Sequence, residues 1–322
     1  MKLLVLRDTA ELRIKGRSSL ALSLGDREKE VPIRDVDAVL IIGGNVKIQA
    51  SVPAVLSLHN IPLAVLTQDG VSILSSPVVT RYNNYRRLQY QLNKTDALHI
   101  AQHYLEAKVQ GMVNILKYYR KDPPALPPKP EPSSDPSVYE RELRTWEAET
   151  SNMLWDRIFG LLPERERTIL EGTYGVSGRK PRSNDPFNKG LSVMYAVLYS
   201  LATKALLAAG LDPTYGFLHR TRYSTPLTFD YVEMFRPVAI QAMVELVSRT
   251  GLPAVDEDGE LTRSSVNDVI KHFYVYMTLR NIKTGKSIYQ YIILKAYRLA
   301  AHLEGRTPTA ELTVIWNRRA YK

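Results

Sequence analysis

The 322-residue sequence contains no cysteine. Disulfides, zinc–thiolate sites and cysteine nucleophiles are thereby excluded for this chain. The absence fits a cytosolic protein, and also a hot habitat, where oxidation-prone residues are scarce. The opening MKLLVLRDTAELRIKG has too few apolar residues before Arg7 and Asp8 to serve as a signal-peptide core. No uninterrupted apolar run is long enough to span a bilayer. These two absences lead to the expectation of a soluble, cytoplasmic protein without a membrane partner. Also missing are the P-loop, G-x-G-x-x-G, H-E-x-x-H and G-x-S-x-G patterns, so nucleotide cradling, zincin and serine-hydrolase chemistry have no sequence support. Acid is scarce relative to base: 33 Asp and Glu against 43 Lys and Arg give a formal net charge of +10 and a pI near 9.5. Such an excess points to a polyanionic partner, nucleic acid before a membrane surface, with plain solubility as the alternative.

What is present divides along the chain. KLLVL, ELRIKG, SLALSLG, VDAVLIIGG, VKIQAS, PLAVLTQ and VSILSS read as strands, by period-2 alternation or as short apolar runs. PAVLSLHN between them reads as a short helix. Asp69-Gly70 is a hairpin turn signal. From about residue 85 the period becomes helical, beginning with ALHIAQHYLEAKVQGMVNILKYYRK. The proline-rich stretch 122–137 reads as an extended surface connector. Helices resume over Tyr139–Leu162, from Pro186 to a stop at Gly210, over VAIQAMVELVSRTG, and in two pieces broken near Gly285. The tail RTPTAELTVIWNRRAYK gives no clear period. Strands first and helices afterwards predict an α+β chain of segregated domains. These are an N-terminal β-rich domain (1–80), a linker (81–94) and a larger all-helical domain (95–322).

The candidate chemistry lies in YGFLHRTRYSTPLTFDYVEMFRP, Tyr215 to Pro237. Pro226 suits the first turn of a helix with Thr225 as its cap, and on that helix Asp230 and Glu233 are three residues apart and share a face. A loop histidine, His219, with two carboxylates on the next helix can converge on one cation, and an N/O donor set of this kind suits Mg²⁺ or Mn²⁺. The same spacing also describes a hydrogen-bonded structural histidine beside a solvated acidic face, and spacing alone leaves both readings open. The other histidines lack a metal-spaced acidic set. His99 and His103 are i,i+4 on one helix with only Glu106 nearby, and read as packing or surface residues.

G-F-L-H-R followed by D-Y-V-E-M-F-R-P resembles the signature of the Cas one family, the CRISPR-associated integrases and endonucleases that install new spacers. The resemblance runs through nearly the whole chain: VLIIGGNVKIQASVPAVLSLHNIPLAVLTQDG is similar to the family's β-domain, and SGRKPRSNDPFNKGLSVMYAVLYS to its G-R…D-P-x-N…L-S…Y stretch. The family also carries a glutamate about seventy residues before the histidine. TWEAETSNMLWDRI offers Glu147 and Glu149 for it, and counting from Ser151 and Trp155 favours Glu147. Ala148, Thr150 and Leu154 depart from the commoner pattern, as does Glu233 in place of aspartate.

The resemblance implies a divalent-metal-dependent DNA endonuclease and integrase acting in antiviral spacer acquisition. It implies Glu147, His219 and Glu233 as ligands of Mg²⁺ or Mn²⁺ and Asp230 as a further catalytic acid. Arg144 and Arg236 match basic family positions and, with Arg222, are expected to hold DNA; Arg220 is a further basic neighbour. Arg179, Lys180 and Arg182 form a basic loop that is a DNA-contact candidate, and RYNNYRRLQYQ (81–91) mixes basic and aromatic residues as nucleic-acid contacts do. By the same resemblance the β-domains would pair in a homodimer, and a smaller ferredoxin-like adaptation protein would be the partner that completes the DNA-capturing assembly. A transposon integrase of the same fold is disfavoured by the short tail after Gly305. A non-catalytic DNA-binding scaffold is disfavoured by the intact acids and histidine.

Overall fold

A computed structural model of the chain describes residues 2–7, 9–16, 18–43, 45–68, 70–74, 83–180, 183–219 and 224–322. The expected α+β order holds: strands occupy the N-terminal part and helices the larger remainder. The strands are β1 (Leu3–Arg7), β2 (Glu11–Lys15), β3 (Ser19–Leu24), β4 (Arg27–Pro32), β5 (Ala38–Ile42), β6 (Lys47–Ile48), β7 (Leu63–Thr67) and β8 (Gly70–Leu74), with helix α1 (Ser51–Leu58) between β6 and β7. Two four-stranded sheets result, in the orders β1-β5-β7-β8 and β4-β3-β2-β6.

In the first sheet β1, β5 and β7 run parallel, and β8 returns antiparallel to β7, with Thr67 opposite Gly70. Asp69 of the expected turn lies outside the described residues, but the antiparallel pairing is what the turn signal called for. Residues 38–41 of β5 are all buried because both faces of the strand are covered. Val39 and Ile41 face the core between the sheets, while Leu40 faces the helices. That two-sided burial explains the unbroken apolar run AVLII.

Two strand expectations need correction. β4 was not anticipated, because REKEVP exposes its first four residues and shows charge instead of alternation; it pairs antiparallel with β3 over Ser19–Leu24. VKIQAS yields only the two residues of β6, since the chain then turns directly into α1.

The helices are α2 (Asn83–Gln91), α3 (Lys94–Tyr118), α4 (Pro136–Phe159), α5 (Glu164–Tyr174), α6 (Pro186–Ala208), α7 (Pro226–Val232), α8 (Arg236–Thr250), α9 (Arg263–Thr278) and α10 (Ile288–Leu303). Asn93 caps α3 by accepting from the Asp96 amide, and Asp185 caps α6 with Pro186 at its first turn. Thr225, expected to cap α7, makes no side-chain cap bond, and its hydroxyl is buried without a partner. α5 went unanticipated because little of it is buried, so it carries no apolar stripe. The segment read as a linker, 81–94, holds α2, of which Gln89 is buried and donates to the carbonyls of Asp212 and Tyr215.

α6 is apolar enough over an 18-residue window to cross a bilayer by composition, yet 83% of that window is buried inside the protein. It is the central core helix, packed by α8, α9 and α10 and by the first sheet. Lys204 on α6 and Tyr289 on α10 both donate to Asp37 beside β5, at 2.7 and 2.9 Å, and so tie sheet to helices. The proline-rich connector is held along its length: Pro127 accepts from the Trp146 indole at 3.2 Å and Pro130 from the Gln102 amide at 2.9 Å. The aperiodic tail is also anchored, by buried Trp316, whose indole donates to Gln241 at 2.7 Å.

Candidate active site

α3, α4 and the α7–α8 junction meet around one lysine. Lys108 sits on the buried stripe of α3, one turn from Tyr104 and one turn from Met112, both fully buried. An ammonium at such a position is costly unless it is paired. Its Nζ is hydrogen-bonded to Glu147 Oε1 on α4 and lies 3.1 Å from Glu233 Oε2. Burial works against the charge of Lys108, but Glu233 and then Glu147 outweigh it, and the lysine's proton affinity ends above its ordinary value. Burial likewise pushes the Glu147 carboxyl up. Lys108 overrides that, with help from Arg236 and from Ser151, which donates at 3.1 Å, and the group is held at about 2. Glu149 is exposed on the outer side of α4, so Glu147 is the glutamate that faces Glu233.

Glu233 is 3% exposed. Its Oε1 pairs with Arg236 at 3.1 Å, one turn on. Its Oε2, although near the ammonium, is not aligned to accept from it and is a buried oxygen without a hydrogen bond. Arg236 in turn stacks over Tyr195, 5.2 Å from the ring centroid, and donates to the Tyr199 hydroxyl at 3.2 Å. Arg179 stacks on the same ring at 5.6 Å and donates to Asn188 Oδ1 at 2.8 Å. Two guanidiniums therefore share Tyr195 as a platform beside the acids. Arg179 also lines an open depression of about 340 Å³, together with Asn152, Trp155, Asp156 and the rest of 175–180.

His219 is reached differently. Asp230, 2% exposed, accepts from the backbone amides of Phe217 at 2.6 Å, Leu218 at 3.1 Å and His219 at 3.0 Å, and it contacts His219 Nδ1 at 2.6 Å. One carboxylate thus shapes the whole turn and fixes the imidazole with Nε2 directed away from Asp230. The turn is tight: a Cβ on Gly216 would sit 2.2 Å from the His219 carbonyl oxygen and 2.6 Å from Pro226 Cβ. Arg144 joins this turn to α4, donating to the Leu218 carbonyl at 2.5 Å while paired with Glu140 at 3.0 Å.

The expected site residues are therefore arranged as two linked pairs. Glu147 and Glu233 meet across Lys108, and His219 meets Asp230. Among the described residues no three His, Asp or Glu groups lie close enough together to hold an ion. The donor chemistry nevertheless fits a divalent cation. Two facing carboxylates, one with an orphaned buried oxygen, suit hard ions such as Mg²⁺ or Mn²⁺. A histidine oriented through Nδ1 by a carboxylate has the arrangement of a metal-ligating imidazole. Of the basic candidates, Arg144, Arg179 and Arg236 are placed as above, while Arg182, Arg220 and Arg222 lie outside the described residues. Lys108 escaped the sequence reading. Its signal was a lone cation on the apolar stripe of α3, flanked by buried residues at i−4 and i+4. His99 and His103 face each other, Nε2 to Nε2 at 3.3 Å, and Glu106 is paired with Lys129 at 3.0 Å instead.

A strand-rich N-terminal part followed by a larger helical part is a fold that known proteins share. The family described as CRISPR associated protein Cas1 matches residues 3–274, and the chain belongs to that family. A relative from Hyperthermus butylicus, named CRISPR-associated endonuclease Cas1, is 30% identical over 238 residues, covering 66% of this chain and 67% of the relative. Among solved structures, a Cas1 protein from Thermotoga maritima shares the fold with a TM-score of 0.77 at 19% identity, over 94% of this chain and 97% of that one. A casposase bound to integration product does so with a TM-score of 0.76 at 21% identity, over 100% of this chain and 95% of that one.

Proposed function

We propose that this chain is a divalent-metal-dependent DNA endonuclease and integrase that joins short DNA fragments to a CRISPR repeat array. The observation that carries the reading is the meeting of Glu147 and Glu233 across Lys108, where one buried Glu233 oxygen lacks a hydrogen bond; His219, held by Asp230, is the further donor proposed. Family membership and the likeness to a casposase on its integration product support the same chemistry. Glu147, Glu233 and His219 would hold Mg²⁺ or Mn²⁺, which when bound neutralises charge at a phosphodiester and lowers the pKa of an attacking hydroxyl.

The remaining steps belong to the chain's own side chains. Asp230 keeps His219 in one orientation, and Arg144 carries that orientation across to α4. Arg179 and Arg236, stacked on Tyr195, offer guanidinium edges for DNA phosphates. The net charge of +10 favours association of the chain with DNA. Pairing of the β-domains in a homodimer and docking of a ferredoxin-like partner belong to the same proposal.

The test is strand transfer of a fragment with a free 3′-hydroxyl into repeat DNA, and nicking of branched DNA, with Mn²⁺ or with EDTA. Activity that requires the ion and is lost in His219→Ala and Glu147→Ala supports the reading. Variants that process DNA like the parent would refute it.

A further inference from the structure

Lys108 does more than balance charge. Its Nζ occupies the gap between Glu147 and Glu233, the two carboxylates assigned above to the ion, and its side chain is only 5% exposed. Around it the acids already have their counter-charges: two carboxylates, Glu147 and Glu233, face two cations, Lys108 and Arg236, and Arg179 shares the Tyr195 ring with Arg236. A divalent ion entering this group adds two positive charges to a largely buried cluster that has no net negative charge. It also competes with the ammonium for Glu147 Oε1 and for the neighbourhood of Glu233 Oε2.

We infer that Lys108 is the resident counter-cation of the Glu147–Glu233 pair, a positioning residue that keeps the two acids facing each other and limits how tightly the site takes up a divalent ion until DNA phosphates arrive. The inference rests on the metal reading of the site given above. Its logic is electrostatic. With Lys108 present, extra positive charge is favourable only when the negative charge of phosphates accompanies it, so ion and DNA each favour the other's binding. Without Lys108, Arg236 alone faces the two acids, and the net negative charge left on the pair draws in an ion by itself. A residue that only braced α3 against α4 would, on removal, loosen the acids and weaken ion uptake. The two roles therefore predict opposite signs.

The experiment titrates Mn²⁺ into the full chain, without DNA and then with a short duplex, reading free Mn²⁺ by electron paramagnetic resonance and melting temperature in parallel. Lys108→Met is expected to bind Mn²⁺ at least about tenfold more tightly than the parent without DNA. It is also expected to melt lower than the parent in EDTA, to recover when Mn²⁺ is added, and to gain less from duplex. Lys108→Gln, which keeps an amide donor between the acids, is expected to change in the same direction and covers the case of a Lys108→Met chain that does not fold. Lys108→Arg is expected to bind no more tightly than the parent. A parent that takes up Mn²⁺ while the folded neutral variants bind equally or more weakly overturns the role given to Lys108 alone. A parent that takes up no Mn²⁺, with or without duplex, overturns the metal reading as well.

Discussion

Replacing Asp230 by alanine removes one carboxylate and leaves several donors without an acceptor. The amides of Phe217, Leu218 and His219 all point at it, at 2.6, 3.1 and 3.0 Å, and the site is buried. Each buried donor left unmade costs about 1–3 kcal/mol. Partial relaxation of the turn and entry of water reduce the sum, and the net loss expected is about 3–5 kcal/mol. Against a total of about 5–15 kcal/mol for a typical domain, that is a large share. Asp230→Asn keeps one carbonyl oxygen for the amides and turns its NH₂ toward the others, so about 1–3 kcal/mol is expected for it. Urea unfolding followed by circular dichroism gives both numbers. Hydrogen exchange of amides 217–219 locates them: these three lose protection in Asp230→Ala while the amides of α6 keep theirs. An Asp230→Ala chain within about 1 kcal/mol of the parent, or one whose turn amides stay protected, would refute the reading of Asp230 as the organiser of the histidine turn.

Gly216→Ala would drive a Cβ to 2.2 Å from the His219 carbonyl oxygen, a backbone atom that cannot step aside; a loss of about 1–3 kcal/mol, with most DNA-processing activity, is expected in unfolding and strand-transfer assays. Glu147 has its carboxyl lowered from 4.5 to about 2, so its pairing contributes fully above pH 4.5 and is lost as pH falls from there toward 2. The melting-temperature difference between the parent and Glu147→Gln should therefore shrink across that window, and a difference constant with pH would count against the pairing. Asp37→Ala removes the acceptor of Lys204 and Tyr289, at 2.7 and 2.9 Å. It is expected to cost about 1–3 kcal/mol and to speed proteolysis between the β-rich and helical parts, with an unchanged cleavage rate as the contrary outcome.

The order of elements was readable because periods differ. The two-residue alternation of LRIKG reflects single-sided burial in β2, where Leu12 is buried between exposed neighbours, and the apolar positions of α3 keep a helical period although most of that helix is buried. AVLII was readable as a strand but not as a two-sided one, since burial on both faces erases alternation. β4 and α5 were hidden because both lie mostly in solvent, so nothing in their side chains marks a buried face. At the site, His219, Asp230 and Glu233 could be named from one stretch, and Glu147 from a resemblance counted against Ser151 and Trp155. What the chain order could not convey is that Asp230 spends its oxygens on three amides and an imidazole, or that Lys108, some forty residues before Glu147, closes the gap to Glu233. Such contacts depend on how α3 crosses α4, and a single cation on an apolar stripe was the only trace left in the sequence.

The most direct measurement is strand transfer by the purified chain, using a short duplex with a free 3′-hydroxyl and a repeat-containing target, in Mn²⁺ and in EDTA. The proposed function predicts joined product with Mn²⁺, none with EDTA, and none from His219→Ala or Glu147→Ala chains that still bind the duplex. Joined product in EDTA, or undiminished joining by either folded variant, would contradict it.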